Sequence, residues 1–382
     1  MAGSLRIRVC AAAIAALTVA ATAACTDTPP AEPQATERPF CEVAVPAAWQ
    51  SAIDAGRVDT GGVSTLPLAV SRVGEVIAVR DNGDTRDVLL VGADSSAAEI
   101  YPVPDPDKND VGFAAVDDRW IVIGVDRIPR GSNGVLPGLI RIDVVDRQGG
   151  PVRTIAQRSM ADYTTGRNAI DSVAAFDGKV YWLTHESPDD DTTTLSSYDL
   201  ATDTVDEVRS DSARDLRTSA AGLTWSREGP GMPQMKIDGT LPPAVAESVG
   251  HGQDRVSVAS DGTAYAWLTG LDEGGTGVAW WSPDSGLVRV TGEVVAPIRL
   301  SVPSVSVAGP YVVIDRGPRE GSARDAYTAV VDTRSGAVTY LANLTRGADG
   351  GTIAVDVGVV PNKLVPPNLS VVRGDSLPGL SC

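Results

Sequence analysis

Short runs of hydrophobic and β-branched residues dominate the chain from about Val63 onward. Gly, Pro, Asp and Asn separate these runs, and short runs bounded in this way are typical of β-strands. One stretch, 46–55 (PAAWQSAIDA), instead has helical spacing, which places Trp49 and Ile53 on one face. The pattern therefore predicts an all-β domain preceded by one short helix.

A unit of four apolar runs recurs along this region. The clearest copy, 172–208, contains SVAAF, the turn Asp177-Gly178, KVYWLT, a polar loop, TLSSYDL, the turn ATDT and VDEV. The turn between the first two runs recurs at Ala221-Gly222, Asp261-Gly262 and Gly309-Pro310. A tight hairpin needs a positive or preset φ at such positions, which Gly, Asp and Pro supply. Each copy therefore predicts a unit of four β-strands.

The third run of each unit ends in a hydrophobic residue before a turn. Successive ends lie roughly 40 to 50 residues apart, which is the length of a four-stranded propeller blade. Two β-sandwiches are the rival fold, but they would not repeat one fixed turn within a four-strand unit. The prediction is an all-β propeller of seven four-stranded blades, with six or eight left open. The seven ends are Val91-Gly92, Ile142-Asp143, Tyr198-Asp199, Ile237-Asp238, Trp281-Ser282, Val331-Asp332 and Val371-Val372.

The ends of the chain are expected to close this ring. The last unit has too few strands, and the segment 41–45 (CEVAV) before the first unit is a spare strand that could complete it. Cys41 and Cys382 would then meet at one seam. The second strands of the units are predicted near 76–79, 120–123, 180–183, 223–225, 264–267, 311–314 and 357–360.

The four cysteines bear on the cellular localisation of the protein. Arg6, Arg8 and the apolar residues after them predict a signal peptide over 1–24, too short to span a bilayer comfortably. The segment 22–25 (TAAC) resembles a bacterial lipobox, whose cysteine is acylated and becomes the mature N-terminus. An ordinary signal peptidase site at 21–23 is the alternative. It would leave three cysteines, whereas lipidation of Cys25 leaves one pair in an oxidising compartment.

The predicted domain organisation follows from lipidation at Cys25. Residues 1–24 form the signal peptide, 25–40 a lipidated, Pro-rich tether, and 41–382 the propeller domain, with Cys41 bonded to Cys382. The formal net charge of −17 disfavours binding to nucleic acid or to anionic lipid surfaces. Contact with the membrane is therefore expected through the lipid alone.

At the level of this repeat, 41–382 resembles the WD-repeat-like and TolB-like β-propellers of bacterial envelopes, in particular those of actinobacterial lipoproteins. The resemblance implies a protein on the extracytoplasmic side of the cell membrane. No blade has the Gly-His and Trp-Asp dipeptides of true WD repeats. Propellers of this kind include both scaffolds and hydrolases, so the fold does not select a function.

Candidate chemistry is sparse. The chain has two histidines, His185 and His251, and the acidic loop after His185 has no metal-ligand spacing. The segment 105–110 (DPDKND) is similar to the start of a calcium loop, but Asp110 stands where that loop needs glycine. No Gly-x-Ser-x-Gly elbow occurs. We therefore expect no catalytic residue, no metal and no cofactor.

Two further groups of residues have predicted roles, one in core packing and one in contact with a partner. Trp182, Trp225 and Trp267 fall in equivalent second strands, where large rings would fill the space between blades. The long insertion 126–138 carries Arg127 and Arg130, which we predict to contact a partner.

The function predicted from these observations is binding without catalysis. The chain is expected to be a lipid-anchored, extracytoplasmic propeller that binds a protein or a cell-envelope glycan. The alternative is a propeller hydrolase or lyase that uses carboxylates in its central channel. Paired, buried carboxylates at the channel mouth would favour that alternative.

Overall fold

The computed structural model describes most of the chain from residue 35 to the C-terminus. Cys25, the signal peptide and most of the tether lie outside the described residues. So do Arg130 and His251, and the loop after His185. The described ranges are 35–127, 139–159, 170–185, 192–211, 213–219, 222–227, 235–236, 241–250, 258–269, 276–295, 304–316, 327–341, 344–360, 363–364 and 368–382.

Three four-stranded antiparallel sheets follow one another in the first half of the chain. Neighbouring strands are consecutive in sequence, so each sheet is a meander. In the third sheet, Asp177 and Gly178 have φ of 50° and 71°, as the predicted tight turn requires. The strands of the first sheet are Ser64–Val70, Val76–Asp81, Arg86–Val91 and Ala97–Pro102; of the second, Asn109–Val116, Trp120–Arg127, Leu139–Asp146 and Arg153–Ser159; and of the third, Ile170–Phe176, Lys179–His185, Thr192–Asp199 and Thr204–Asp211.

Four further sheets complete the described architecture, together with the short hairpin Val359–Val360 and Lys363–Leu364. A blade number of seven stays a prediction, because parts of the fourth and seventh units lie outside the described residues. The strands of the fourth sheet are Ala213–Ser219, Gly222–Arg227 and Met235–Lys236; of the fifth, Ala259–Ser260, Tyr265–Thr269, Thr276–Ser282 and Gly286–Val295; of the sixth, Ser304–Ala308, Tyr311–Arg316, Tyr327–Asp332 and Ala337–Leu341; and of the seventh, Leu344–Asp349, Thr352–Asp356 and Leu369–Arg373.

The sheets are arranged around one axis. The first strand of each of these sheets contributes to a single central cavity. Hydrophobic clusters fill the space between neighbours, for example Ile77 with Ile121 between the first and second sheets. The ring closes in the same way, because Val76 and Val91 of the first sheet share a cluster with Val371 of the seventh. The fold is therefore a β-propeller, as the repeat predicted.

Two helices lie outside the sheets in the described residues. Ala47–Ala55 is the predicted helix, and its buried Trp49 and Ile53 pack against the seam between the sixth and seventh sheets. Pro243–Gly250 was not predicted. Its Val245 and Val249 pack in one buried cluster with Trp267.

The segment from Cys41 contains a strand, as predicted, but the prediction that this strand completes the last unit was wrong. Cys41–Glu42 pairs in parallel with the outer strand of the sixth sheet, and Thr36–Pro39 pairs with that of the fifth. These segments cover edges that would otherwise expose unpaired backbone groups. The last sheet is instead met by Arg57, which bridges to Ser370 just after the helix. A Cβ at Gly56 would collide with the backbone of Leu369–Arg373 there, so glycine is required.

The prediction for the seventh unit was also shifted. Its second strand is Thr352–Asp356, not 357–360, and an unpredicted first strand, Leu344–Asp349, precedes it. The hairpin that joins these first and second strands turns at Gly350 and Gly351, which both have positive φ. All six of the other second strands begin within one residue of where the sequence placed them.

A disulfide joins Cys41 and Cys382, as the cysteine count predicted, with the Cα atoms 6.1 Å apart. Beside it, the Trp49 ring meets the Tyr311 ring edge-on at 5.0 Å, and Trp49 Nε1 donates to the Pro378 carbonyl at 2.9 Å. The C-terminal tail is thereby fixed against the sixth sheet and the helix.

Candidate functional site

The central cavity, here called the central channel, has a volume of about 210 Å³. Its walls are mostly small apolar and hydroxyl side chains from the first strands of the described sheets, which converge there. Two charged residues, Arg217 and Asp349, also line it. The channel is therefore a small space whose exposed lining is largely polar.

Arg217 reaches across the channel from the fourth sheet to the sixth. Its Nη1 donates to the Ser304 hydroxyl at 2.8 Å and to the Val305 carbonyl at 3.2 Å. Its Nε is buried without a hydrogen-bond partner. An irregularity in strand pairing between Arg214 and Arg217 re-aims this part of the strand, as bulges do near functional sites.

Asp349 lies at the end of the first strand of the seventh sheet. Burial raises its pKa to about 6, with Asp261 adding to the rise, while the Gly350 N–H and Arg72 oppose it. The Gly350 N–H donates to the carboxylate at 2.7 Å. Among the described residues that line the channel, Asp349 is the single carboxylate, whereas two would suit general acid and base catalysis.

A larger cavity of about 790 Å³ opens at the turns of the first three sheets. We call it the arginine groove, and it is defined by Arg72, Arg119, Trp120, Arg153 and Phe176. Arg72 and Arg119 stand in the turns between first and second strands, while Arg153 begins a fourth strand. The remaining lining residues are Asp117, Asp118, Asp177, Gly178, Leu200 and Ala201.

Guanidinium groups lie over both aromatic rings of the groove. The Cζ atoms of Arg119 and Arg153 are 4.6 and 4.9 Å from the centre of the Trp120 ring. The Cζ atom of Arg72 is 5.8 Å from the centre of the Phe176 ring. At these distances the ring quadrupole attracts the cation.

Ion pairs at the groove connect adjacent sheets. Arg72 pairs with Asp118 at 3.0 Å between the first and second sheets, and Arg153 pairs with Asp203 at 2.8 Å between the second and third. The two carboxylates are exposed, with 77% and 65% of their side-chain surface accessible. Such pairs stabilise little in water, but they orient the guanidinium groups.

Hydrogen bonds to the buried Asp117 fix the turn that carries Arg119. Asp117 accepts from the backbone N–H groups of Arg119 at 2.9 Å and Trp120 at 2.7 Å. Its second oxygen accepts from Gly178 N–H of the third sheet at 3.1 Å. Hydrogen bonds from Arg119 also lower the pKa of Asp146. The groove is therefore held by both of the sheets that it lies between.

The structure describes only part of the predicted contact surface. Arg127 lies at the end of a second strand and lines a separate cavity of about 250 Å³ with Lys108 and Arg141. Arg130 is outside the described residues, so the contact through this pair stays a prediction.

The other candidates have structural placements. His185 is buried at the end of its strand. Trp182, Trp225 and Trp267 are buried between sheets or under the second helix, as predicted. Within the described residues, no group of three His, Cys, Asp or Glu side chains could hold a metal ion. The described helices also include none that is long and apolar enough to cross a membrane.

Sequence reasoning overlooked the arginine groove. Arg72 and Arg119 stand in the turns between the first and second strands of two successive units, and Arg153 begins the fourth strand of the second of these units. An arginine next to the turn in neighbouring units was the available signal, since equivalent turns of adjacent blades lie side by side.

Comparison with known proteins gives similarity in structure alone. No family model matches the chain, and no curated protein sequence is significantly similar. The solved structures that resemble it include an oligogalacturonate lyase from Vibrio parahaemolyticus, with 12% identity and a TM-score of 0.48 over 83% of this chain and 92% of that one. The β-propeller domain of the Trilobed protease from Pyrococcus furiosus has 11% identity and a TM-score of 0.48 over 81% and 96%.

A third similar structure is the WD40 domain of Pan2 from Neurospora crassa, with 12% identity and a TM-score of 0.41 over 85% of this chain and 93% of that one. At such identities, a likeness says nothing of what this chain binds. The fold assignment rests on the sheets and their common axis.

Proposed function

We propose that this chain is a lipid-anchored, extracytoplasmic propeller that binds a protein or a glycan of the cell envelope without catalysing a reaction. The observation that supports it is the arginine groove, where three arginines and two aromatic rings line one open cavity. Arg and Trp are the residues on which binding energy concentrates at interfaces.

The groove has two further properties of a binding site. Hydrogen bonds to Asp117 fix the backbone at Arg119 and Trp120, and ion pairs orient Arg72 and Arg153, so binding should cost less conformational entropy than at a flexible site. The groove also gathers three guanidinium groups, alongside three aspartates, on a chain with a formal net charge of −17. A partner with acidic or hydroxyl groups could reach donors there that the rest of the surface offers less often.

Crosslinking on intact cells tests the binding role. Wild-type protein should recover a defined envelope partner, and Arg119→Glu with Arg153→Glu should reduce its yield at least about tenfold, because both cations are reversed. The matched control is Arg57→Glu with Arg289→Glu, which reverses two partly exposed arginines outside the groove. Equal recovery from both double variants would refute the groove as the binding surface.

The anchor has its own test. Cys25→Ser should move the protein from the membrane fraction to the culture medium, since one acyl chain or more would be lost. Identical fractionation of wild type and variant would refute the anchor while leaving the binding role intact. Arg127→Glu with Arg130→Glu should weaken the same crosslink if the long insertion contributes.

The hydrolase or lyase alternative is favoured by one observation. Asp349 has a pKa raised to about 6 by burial and by Asp261, as an acid catalyst would need. If purified protein turns over a glycan or ester, and Asp349→Asn abolishes that turnover, this alternative replaces the binding proposal.

A further inference from the structure

The cavity of about 250 Å³ beside Arg127, here called the cationic pocket, has an excess of positive charge. Lys108, Arg127 and Arg141 supply three cations to its lining, and Asp105 supplies one carboxylate. The arginine groove has three cations and three carboxylates, and the central channel has one of each. On a chain with a formal net charge of −17, such a local excess favours the binding of an anion.

The strand pairing explains why two of these cations share a wall. Arg127 and Leu139 are opposite residues of neighbouring strands, and Arg141 follows Leu139 by two positions. Side chains two residues apart in a strand lie on the same face. The first sheet packs against this face, since Tyr101 of that sheet donates to Asp143, two positions further on. The cationic pocket therefore lies between the first and second sheets, beside the loop that joins them.

Hydrogen bonds to the buried Asp143 and Tyr101 hold Arg141 in place. Its Nε donates to the Asp143 carboxylate at 3.0 Å, and its Nη2 donates to the Tyr101 hydroxyl at 3.1 Å. That hydroxyl donates in turn to Asp143 at 2.6 Å, and burial raises the pKa of Tyr101 to about 12, which keeps its proton in place. Nη1 of Arg141 has no hydrogen-bond acceptor among the described residues, and it is accessible to solvent. A fixed guanidinium thus lines the pocket with donors that remain available.

The loop between the two sheets brings Lys108 to the same pocket. The backbone N–H groups of Lys108 and Asn109 donate to the Asp105 carbonyl at 2.8 and 3.0 Å. Arg86 of the first sheet donates to the Asn109 carbonyl at 2.6 Å. The Lys108 ammonium forms no ion pair or hydrogen bond with the residues that the structure describes. Arg127 adds a third positive charge, which attracts an anion whether or not its own N–H groups are engaged.

The positions of the donors decide which anion fits. Lys108 is on the loop, Arg127 ends one strand and Arg141 is on the next, so the donors come from three places in the chain. A carboxylate has two oxygens in one plane, whereas a phosphate group directs its oxygens tetrahedrally and can accept from all three. Arg and Lys are also the side chains that bind phosphate in proteins. With Asp143 behind the wall counted beside Asp105, the three cations still exceed the two carboxylates.

We propose that the cationic pocket binds a phosphate group, with its oxygens on Arg141 Nη1 and the Lys108 ammonium and with Arg127 adding positive charge. The group is either free inorganic phosphate or the phosphoryl end of a larger molecule, because both present the same oxygens. The cationic pocket shares no lining residue with the arginine groove, so this site is independent of the proposed binding of a protein or a glycan.

Isothermal titration calorimetry with inorganic phosphate tests the site in the full-length protein, in a neutral detergent at low ionic strength. Phosphate should bind saturably at one site per chain, and acetate should bind at least about tenfold more weakly. Glycerol 1-phosphate distinguishes the two sources. Tighter binding of this ester than of inorganic phosphate points to the phosphoryl end of a larger molecule, and weaker binding points to the free ion.

Two exposed positions separate binding from a structural role. Lys108→Gln should weaken phosphate binding at least about threefold, because it removes one charge, and should leave the melting temperature unchanged. Asp105→Asn should tighten binding by about threefold, since it removes the one carboxylate in the lining. Asparagine tolerates the positive φ of 48° at that position. A purely structural pocket would not respond to these two variants in opposite directions.

Arg141→Gln should weaken phosphate binding at least about tenfold, because its charge-assisted hydrogen bonds are lost. The matched control is Arg119→Gln, which changes the arginine groove and should leave phosphate binding unaltered. Four results would overturn the site. They are the absence of saturable phosphate binding in the wild type, acetate binding as tight as phosphate binding, unchanged affinity in Lys108→Gln, and loss of phosphate binding in Arg119→Gln alone. Lys108→Gln decides the matter whether or not Arg141→Gln folds.

Discussion

Two regions of the molecule combine arginine, aspartate and aromatic rings in opposite ways. One is the seam cluster, formed by Trp49, Tyr311, Asp332, Arg334 and the C-terminal tail. The other is the arginine groove. In the seam cluster, Arg334 lies over the Tyr311 ring at 5.1 Å, as the arginines of the groove lie over theirs.

The difference is in the carboxylate. Asp332 has 1% of its side chain exposed and accepts from Arg334 Nη2 at 2.7 Å, Arg334 Nε at 2.8 Å and the Leu380 N–H at 2.8 Å. Burial alone would raise its pKa, but these hydrogen bonds lower it overall. The carboxylates that pair with Arg72 and Arg153 in the groove are mostly exposed.

The comparison separates arginine–carboxylate pairs that only stabilise the fold from pairs whose arginine remains available to a ligand. A buried carboxylate with all its hydrogen bonds made fixes the chain around it, as Asp332 fixes the tail. An exposed carboxylate can exchange its arginine for a ligand at little cost. Four predictions test this difference, in order of decreasing effect.

The largest effect is expected from the disulfide at the seam. Cys41→Ser with Cys382→Ser should lower the free energy of unfolding by up to about 4 to 5 kcal/mol, because the bridge closes a very long loop in the unfolded chain. Urea denaturation followed by Trp fluorescence measures it. Cys25→Ser keeps both bridged cysteines and serves as the control. Equal midpoints for the double variant and the control would contradict the prediction.

The next effect compares the two kinds of carboxylate directly. Asp332→Ala should cost about 2 to 3 kcal/mol, since charge-assisted hydrogen bonds and one buried backbone N–H lose their acceptor. Asp118→Ala, the exposed partner of Arg72, should cost at most about 1 kcal/mol. Urea midpoints of the two variants measure the difference. Similar losses in both would remove the distinction between the regions.

A third prediction concerns pH and Asp126, a carboxylate that forms no ion pair with the residues that the structure describes. Burial raises the pKa of Asp126 to about 6, with Asp110 adding to the rise, and its Oδ1 has no partner. The folded state then holds more protons than the unfolded state between about pH 4 and pH 6, so stability falls as pH rises through that window. Asp332, whose pKa is lowered, acts oppositely and loses its contribution as pH falls below about 4.

The variant Asp126→Asn should remove the Asp126 contribution. The stability difference between pH 5 and pH 7 should change by about 1 kcal/mol relative to wild type. Asp118→Asn, at an exposed position, is the control and should leave that difference unaltered. A pH dependence that is identical in wild type and Asp126→Asn would exclude Asp126 as its source.

The smallest effect is expected from the groove itself. Arg153→Ala should lower the free energy of unfolding by about 0.5 to 1 kcal/mol, from one exposed ion pair and one cation–π contact. The same substitution should reduce partner crosslinking strongly. A loss of stability comparable to that of Asp332→Ala would show that the groove is structural.

The sequence by itself determined the local features of this protein. Strand runs, the turn at Asp177-Gly178 and the helix with Trp49 and Ile53 depend on neighbouring residues, so their pattern could be read directly. The pair Cys41 and Cys382 followed from the number of cysteines. These features needed no knowledge of what packs against what.

Only the tertiary structure decided the sites. Arg72, Arg119 and Phe176 belong to three different sheets, and they meet because equivalent turns of adjacent blades lie side by side. Arg217 entered the channel through a local change of register that the apolar pattern does not encode. The pairing of Cys41–Glu42 with the sixth sheet also depended on which sheet edge remained open. Long-range packing sets each of these contacts, whereas the sequence pattern reports local preference alone.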